Sequence, residues 1–107
     1  MGSFAFGVGG VPVETTTVVA VAGTTYTVLP TDWGKQIQTS SGSATTITIN
    51  ASSLVGVPAG AVLAVTQGGT GTVTVSGSGV TVRSTAVFAQ YVTAGFQLKA
   101  NGEVWGI

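Results

Sequence analysis

The chain contains no cysteine and no histidine. Without thiols there is no disulfide framework and no thiolate metal site, so stability must come from burial, backbone pairing or association between chains. Without imidazole the commonest general base and the commonest metal ligand are both missing. Charge is almost as scarce. Glu14, Asp32, Lys35, Arg83, Lys99 and Glu103 make up 6% of 107 residues and sum to zero, against roughly a quarter of an ordinary soluble domain. Neutrality favours association, and the lack of a basic stripe removes the electrostatic term that drives nucleic-acid binding, so nucleic acid is not an expected partner. No apolar run approaches the ~20 residues of a membrane-spanning helix, and no membrane partner is expected. Met1 to Gly10 has neither the basic start nor the continuous apolar centre of a signal peptide.

These absences bear directly on catalysis. The three carboxylates lie far apart in sequence, so a facing pair of the glycosidase kind would have to be assembled by folding, and no motif supports one. Serine is plentiful, but neither Lys35 nor Lys99 stands in a Ser-Lys arrangement that would activate it. A calcium loop needs several clustered Asp or Asn, which are lacking. Gln67 to Gly71 is glycine-rich but has no following Lys-Ser/Thr and no helix, so it is not a phosphate cradle. The expectation is a non-enzyme with no cofactor and no metal, its acidic residues placed in surface turns.

What is present is threonine, valine, serine and 17 glycines. Apolar residues recur at period two, the spacing of half-buried strands. Strands are expected over 13–21, 24–29, 35–39 and 45–50, the last with Ile47 and Ile49 on one face. Gly56, Pro58 and Gly60 mark residues 51–60 as a connection with one helical turn around Ser52 to Val55. Further strands are expected at 61–67 and 72–76, joined as a hairpin by Gln67 to Gly71, then at 80–83, 87–93, 96–99 and 103–107. Asn101-Gly102 carries the signal of a type I′ hairpin turn between the last two. The fold class is therefore all-β, an antiparallel β-sandwich or barrel-like domain of about nine to ten short strands, because parallel βαβ units would need helices the sequence does not supply. No fixed period appears, which disfavours a coiled solenoid. Residues 1–12 read as a flexible N-terminal arm and 13–107 as one domain.

Aromatic residues are the remaining candidates for binding. Phe4 and Phe6 sit in the glycine-rich arm, where apolar anchors suit insertion into a neighbouring chain, each ring contributing on the order of 2 kcal/mol when buried. Trp33, Tyr91 and Trp105, with Tyr26, serve either as packing residues or as a sugar-facing surface. The ladders Thr46, Thr48 and Thr72, Thr74 resemble the hydroxyl faces of ice-binding proteins, yet threonine is a favoured strand residue in any case and a regular repeat is missing.

The order of motifs adds a resemblance. Tyr26-Thr27-Val28-Leu29 is followed by Asp32-Trp33-Gly34-Lys35, the segment Thr45 to Ser53, Pro58-Ala59-Gly60 and Gln67-Gly68-Gly69-Thr70-Gly71. Gly77-Ser78-Gly79-Val80-Thr81-Val82, Gln90-Tyr91 and Leu98 to Trp105 complete the series. Over about residues 24 to 107 this resembles a β-domain recurrent in tailed-bacteriophage virion proteins, and the motifs are fold markers that bring no catalytic residues with them. In larger phage proteins the domain sits within appendages, whereas this chain starts at Met1 and ends at the last strand. The resemblance therefore implies a free-standing capsid decoration (cement) protein, located on the capsid surface of a virion and made in the host cytoplasm. Its implied partners are itself, as a homo-oligomer of trimeric type, and the major capsid protein. The alternative implied is a tail-fibre or spike tip that binds host surface glycans through Trp33, Tyr91 or Trp105.

Overall fold

The computed structural model describes residues 17–83 and 87–107. Within them the strands are β1 (Val18–Val21), β2 (Thr25–Thr27), β3 (Gln36–Thr39), β4 (Thr45–Asn50), β5 (Val62–Gln67), β6 (Val73–Ser78), β7 (Val82–Arg83), β8 (Val87–Phe88), β9 (Thr93–Leu98) and β10 (Val104–Gly106). Two single 3₁₀ turns, Pro30–Asp32 and Ala51–Leu54, are the remaining regular elements. The strands form a six-stranded sheet, ordered β1-β3-β5-β9-β10-β7, and a four-stranded sheet, ordered β2-β4-β6-β8. The all-β class and the short strands are as expected. So is the period-two rule: β4 buries Thr45, Ile47 and Ile49 and turns Thr46, Thr48 and Asn50 outward.

The pairing is not the antiparallel one expected. From β1 to β6 the chain alternates between the sheets, so each strand lies beside the strand two places earlier and runs parallel to it: β1 with β3, β3 with β5, β2 with β4, β4 with β6. The backbone thus winds as a short coil of three turns. The coil is then closed by antiparallel pairing of β8 on β6, β9 on β5 and β10 on β9, with β7 parallel to β10. Parallel neighbours need a long crossover, and here a strand of the opposite sheet supplies it in place of a helix. The coil left no fixed period because its steps are unequal: Val18 stands opposite Gln36, and Gln36 opposite Ala64.

The segments that carry the chain between sheets on one side are arches, and they stack. Gly68 N–H donates to Thr39 O at 2.8 Å, Gly71 N–H to Ser41 O at 3.3 Å and Thr45 N–H to Thr72 O at 2.8 Å. The segment Gln67 to Gly71 is therefore an arch joining β5 of one sheet to β6 of the other, and not the hairpin its glycines suggested. Those glycines answer to close backbone approach: a Cβ on Gly69 would sit 2.1 Å from Ser41 O, and one on Gly71 2.1 Å from Ser43 O. At the β9–β10 reversal the hairpin is real but the turn differs. Gly102 has φ of 84°, Asn101 is not left-handed, and Gly102 N–H reaches Lys99 O at 3.0 Å. That is a three-residue loop with a left-handed glycine at its end, and Asn101 Oδ1 accepts from Glu103 N–H at 3.0 Å to hold it.

Between the sheets Ile37, Leu63, Val65, Phe96, Leu98 and Val104 meet Val28, Ile47, Ile49, Val73, Val75 and Phe88. Five polar side chains are buried among the described residues, Asp32, Thr39, Thr45, Ser53 and Gln67. Gln67 Oε1 accepts from Thr39 Oγ1 and from Gly69 N–H, both at 2.8 Å, and its Nε2 donates to Gly71 O at 2.6 Å. Asp32 is buried as well, which corrects its placement in a surface turn: Oδ2 accepts from Tyr26 Oη at 2.6 Å and from Leu29 N–H at 2.8 Å. Every buried side-chain nitrogen and oxygen among the described residues has a hydrogen-bond partner.

Two outcomes follow from these buried groups. Gln67→Leu keeps the volume but strands the Gly69 N–H and the Gly71 carbonyl, and at about 1–3 kcal/mol for each unsatisfied group it is expected to lower the midpoint of chemical unfolding more than Val75→Ala does. Burial and the hydrogen bond to Asp32 push the Tyr26 hydroxyl up to about 12. Its folded value lies above the unfolded one near 10, so its contribution is whole below pH ~10 and is lost as pH rises towards 12. Stability measured across that window is expected to fall more steeply in the native chain than in Tyr26→Phe.

Candidate interaction surface

The register of the six-stranded sheet fixes which side chains share its outer face. Val18, Gln36, Ala64 and Gly95 form one row, and Ile107 closes it by donating its N–H to Gly95 O at 2.9 Å. Ala20, Gln38, Thr66 and Thr93 form the next row, and Val62, Gln97, Trp105 and Arg83 the row on the other side. Gly95 leaves room for its neighbour, since a Cβ there would lie 2.9 Å from Ile107 Cγ1. Side chains across the rows are tied to one another. Gln36 Nε2 donates to Thr66 Oγ1 at 2.6 Å, and the Thr66 and Thr93 hydroxyls are 2.7 Å apart. The first two rows are uncharged, and Val18 and Ile107 remain exposed at 46% and 68%.

One corner of this face gathers most of the described charge. Glu103 sits just before Trp105, its carboxylate accepting Arg83 Nε at 2.8 Å and Nη2 at 3.0 Å. The same carboxylate takes the Trp105 indole N–H at 3.0 Å, while Lys99 Nζ lies 5.3 Å from the centre of the Trp105 ring and donates to Gln97 Oε1. An exposed ion pair contributes little to stability, but here it orients a ring. Trp105 is 42% exposed and yet held on one edge by a carboxylate and over one face by an ammonium group. The guanidinium and the indole donor hold the Glu103 carboxyl down at about 2.

The other aromatic candidates lie elsewhere. Trp33 follows the first 3₁₀ turn, packs against the core and donates its indole N–H to Ser53 O at 3.0 Å, so it links the two 3₁₀ turns. Tyr91 is 81% exposed in the β8–β9 turn, its N–H on Gln67 O at 2.7 Å. Its φ of 65° is left-handed, a conformation that costs a non-glycine residue about 1–2 kcal/mol. Trp33 and Trp105 flank the Val62 end of β5, because Gly34 N–H donates to Val62 O and Gln97 pairs both Val62 and Trp105. Tyr91 belongs to the Gln67 end, the length of β5 away, roughly 17 Å. The three rings therefore do not form one platform, and Trp105 has the polar side chains of Glu103 and Lys99 around it. Phe4 and Phe6 lie outside the described residues. Sequence reasoning missed the corner itself: the expected hairpin sets Lys99 opposite Glu103, but Arg83 joins them only through the β7-β10 pairing. The placement of Glu103 and Trp105 two residues apart on one strand was the available signal.

Among the described residues no group of three acidic residues could hold a metal ion, and no helix is long and apolar enough to cross a membrane. Comparison with known protein families, with curated proteins and with solved structures finds no match to this chain.

The corner gives a spectroscopic prediction. Glu103 binds its proton more weakly when folded than unfolded, so the contact is complete above about pH 4.5 and is lost as pH falls towards 2. Trp105 fluorescence is expected to change through that interval, and Arg83→Gln is expected to move the change upward in pH. A profile unaffected by the substitution speaks against the arrangement.

Proposed function

We propose that this chain is a non-catalytic structural protein of a bacteriophage virion, a decoration protein that seats on the outer capsid shell as a homo-oligomer of trimeric type and stabilises it. The observation that carries the assembly part is the outer face of the six-stranded sheet. Its rows of Gln, Thr, Ala and Gly are uncharged, Gln36, Thr66 and Thr93 are tied to one another, and Val18 and Ile107 stand exposed at its two ends. Such a face loses little on desolvation, because it carries no unpaired charge to strip of water. An interface core depleted of charge with a polar rim matches the division between these rows and the charged groups of the Trp105 corner. The virion part is supported by the motif order from Tyr26 to Trp105, and fold likeness of that kind is an analogy. Phe4 and Phe6 are assigned as anchors on the major capsid protein.

A second reading has one observation in its favour. Trp105, held open between Lys99, Glu103 and Gln97, offers a ring face with polar neighbours, as a glycan-binding tip requires.

Sedimentation equilibrium tests the assembly reading. A species of three times the 10.5 kDa chain mass is expected, and Ile107→Glu is expected to weaken its association by about tenfold or more. A monomer at all concentrations, together with no density for the protein on intact particles by electron microscopy, overturns it. A glycan array probed with the native chain and with Trp105→Ala separates the second reading, which requires binding that the substitution removes.

A further inference from the structure

The outer face of the four-stranded sheet is unlike that of the six-stranded one. Pairing of β2 with β4 and of β4 with β6 sets Thr25, Thr46 and Thr74 in one row and Thr27, Thr48 and Ser76 in the next. Each strand thus presents a hydroxyl, an inward residue and a second hydroxyl: Thr25-Tyr26-Thr27, Thr46-Ile47-Thr48, Thr74-Val75-Ser76. The three pairs are stacked in register by parallel pairing. Strand geometry spaces the rows' members about 4.8 Å apart across strands and the two rows about 6.6 Å apart along them. Asn50 and Ser78 extend the array at one end, and no Asp, Glu, Lys, Arg or aromatic residue stands on it.

The state of these hydroxyls separates them from the other threonines. Thr39 and Thr45 point inward and bond protein groups, and Thr66 and Thr93 bond each other. None of the six hydroxyls of the array bonds another described side chain or backbone group, although all six are at least partly exposed. Five of the six also carry a methyl group beside the hydroxyl, so the surface alternates groups that hold water with groups that exclude it. The missing repeat that argued against such a face is supplied by the coil, whose unequal steps are absorbed in the connections while the strands stay in register.

We propose that this hydroxyl array binds ice, its two rows ordering water at lattice-like intervals and joining the surface of a growing crystal. The chemistry selects this occupant. A charged ligand finds no counter-charge, and a crystalline polysaccharide finds no aromatic ring on which to stack. An extended lattice of water needs only neutral donors and acceptors at fixed repeat, with methyl groups between them. The array is small, so slowed recrystallisation is the activity to expect from it.

The test grows ice slowly through a solution of the full chain and measures how much enters the ice beside an inert globular protein of similar size. Native chain is expected to enter the ice and to slow recrystallisation, and Thr46→Lys, an exposed position on an inner strand of the array, is expected to lose about tenfold or more of the effect. Ala59→Lys adds the same charge in the exposed turn before β5, outside both sheet faces, and is expected to change nothing. Thr25→Lys replaces Thr46→Lys if circular dichroism shows that variant unfolded. Native chain partitioning like the inert protein overturns the proposal, as does equal loss in the Ala59 and Thr46 variants. Neither outcome touches the assembly reading, which concerns the opposite face.

Discussion

The side-chain amide of Gln67 is the contact on which the coil depends. It lies fully buried where two successive arches stack, and its two ends face different demands. The oxygen takes the Thr39 hydroxyl from the preceding turn of the coil, and the nitrogen takes the Gly71 carbonyl from its own arch. A chain that crosses between sheets must leave backbone groups near the core that no strand can satisfy. One primary amide, with two acceptor lone pairs and two donors, answers two of them here, the Gly69 N–H and the Gly71 carbonyl, besides the Thr39 hydroxyl. The arches then set register: with Gly68 N–H on Thr39 O and Thr45 N–H on Thr72 O, β3 and β5 on one side and β4 and β6 on the other are aligned together. Both outer faces inherit their rows from that alignment.

Strand positions were legible because burial on one side writes a period of two, and β4 was recovered at its boundaries. Partners were not legible, and the reason is physical. An arch and a hairpin both need glycine, one for backbone approach and the other for positive φ, so Gln67 to Gly71 satisfies either description. Helical crossovers are visible in a sequence, but a strand acting as a crossover looks like any strand. Coil steps of unequal length erased the period that would have disclosed the winding. At Asn101-Gly102 the hairpin was legible and its turn type was not, because Ala100 joins the loop and leaves only Gly102 left-handed. Asp32 misled in the opposite sense: a carboxylate between proline and glycine suggests solvent, whereas its acceptors serve Tyr26 and the Leu29 N–H inside the fold.

Of the candidate binding residues, the sequence identified the types and not the company they keep. Trp33 spends its indole on joining the two 3₁₀ turns, a structural task that no local pattern announces. Trp105 gained its setting from Lys99, across the β9–β10 hairpin, and from Arg83, which is remote along the chain and adjacent only because β7 flanks β10. Tyr91 carries left-handed backbone strain that a glycine would avoid. Its side chain is largely in solvent, so packing of that ring does not explain the residue's presence at this turn.

The distribution of charge ties these features together. With so few ionisable groups, each position matters, and the described ones avoid both sheet centres: Asp32 and Lys35 lie at the first 3₁₀ turn, while Arg83, Lys99 and Glu103 surround Trp105. Exposed sheet surface bare of charge is a liability for a protein that stays alone, since charge is the usual guard against unwanted association. The two outer faces meet that liability differently. On the six-stranded sheet Gln36, Thr66 and Thr93 are satisfied by one another, which lowers the cost of removing water from them. On the four-stranded sheet the outward threonine hydroxyls bond no other described group and are at least partly exposed. One face is chemically prepared to lose its water and the other to keep it, and that asymmetry follows from which strand of each coil turn carries threonine.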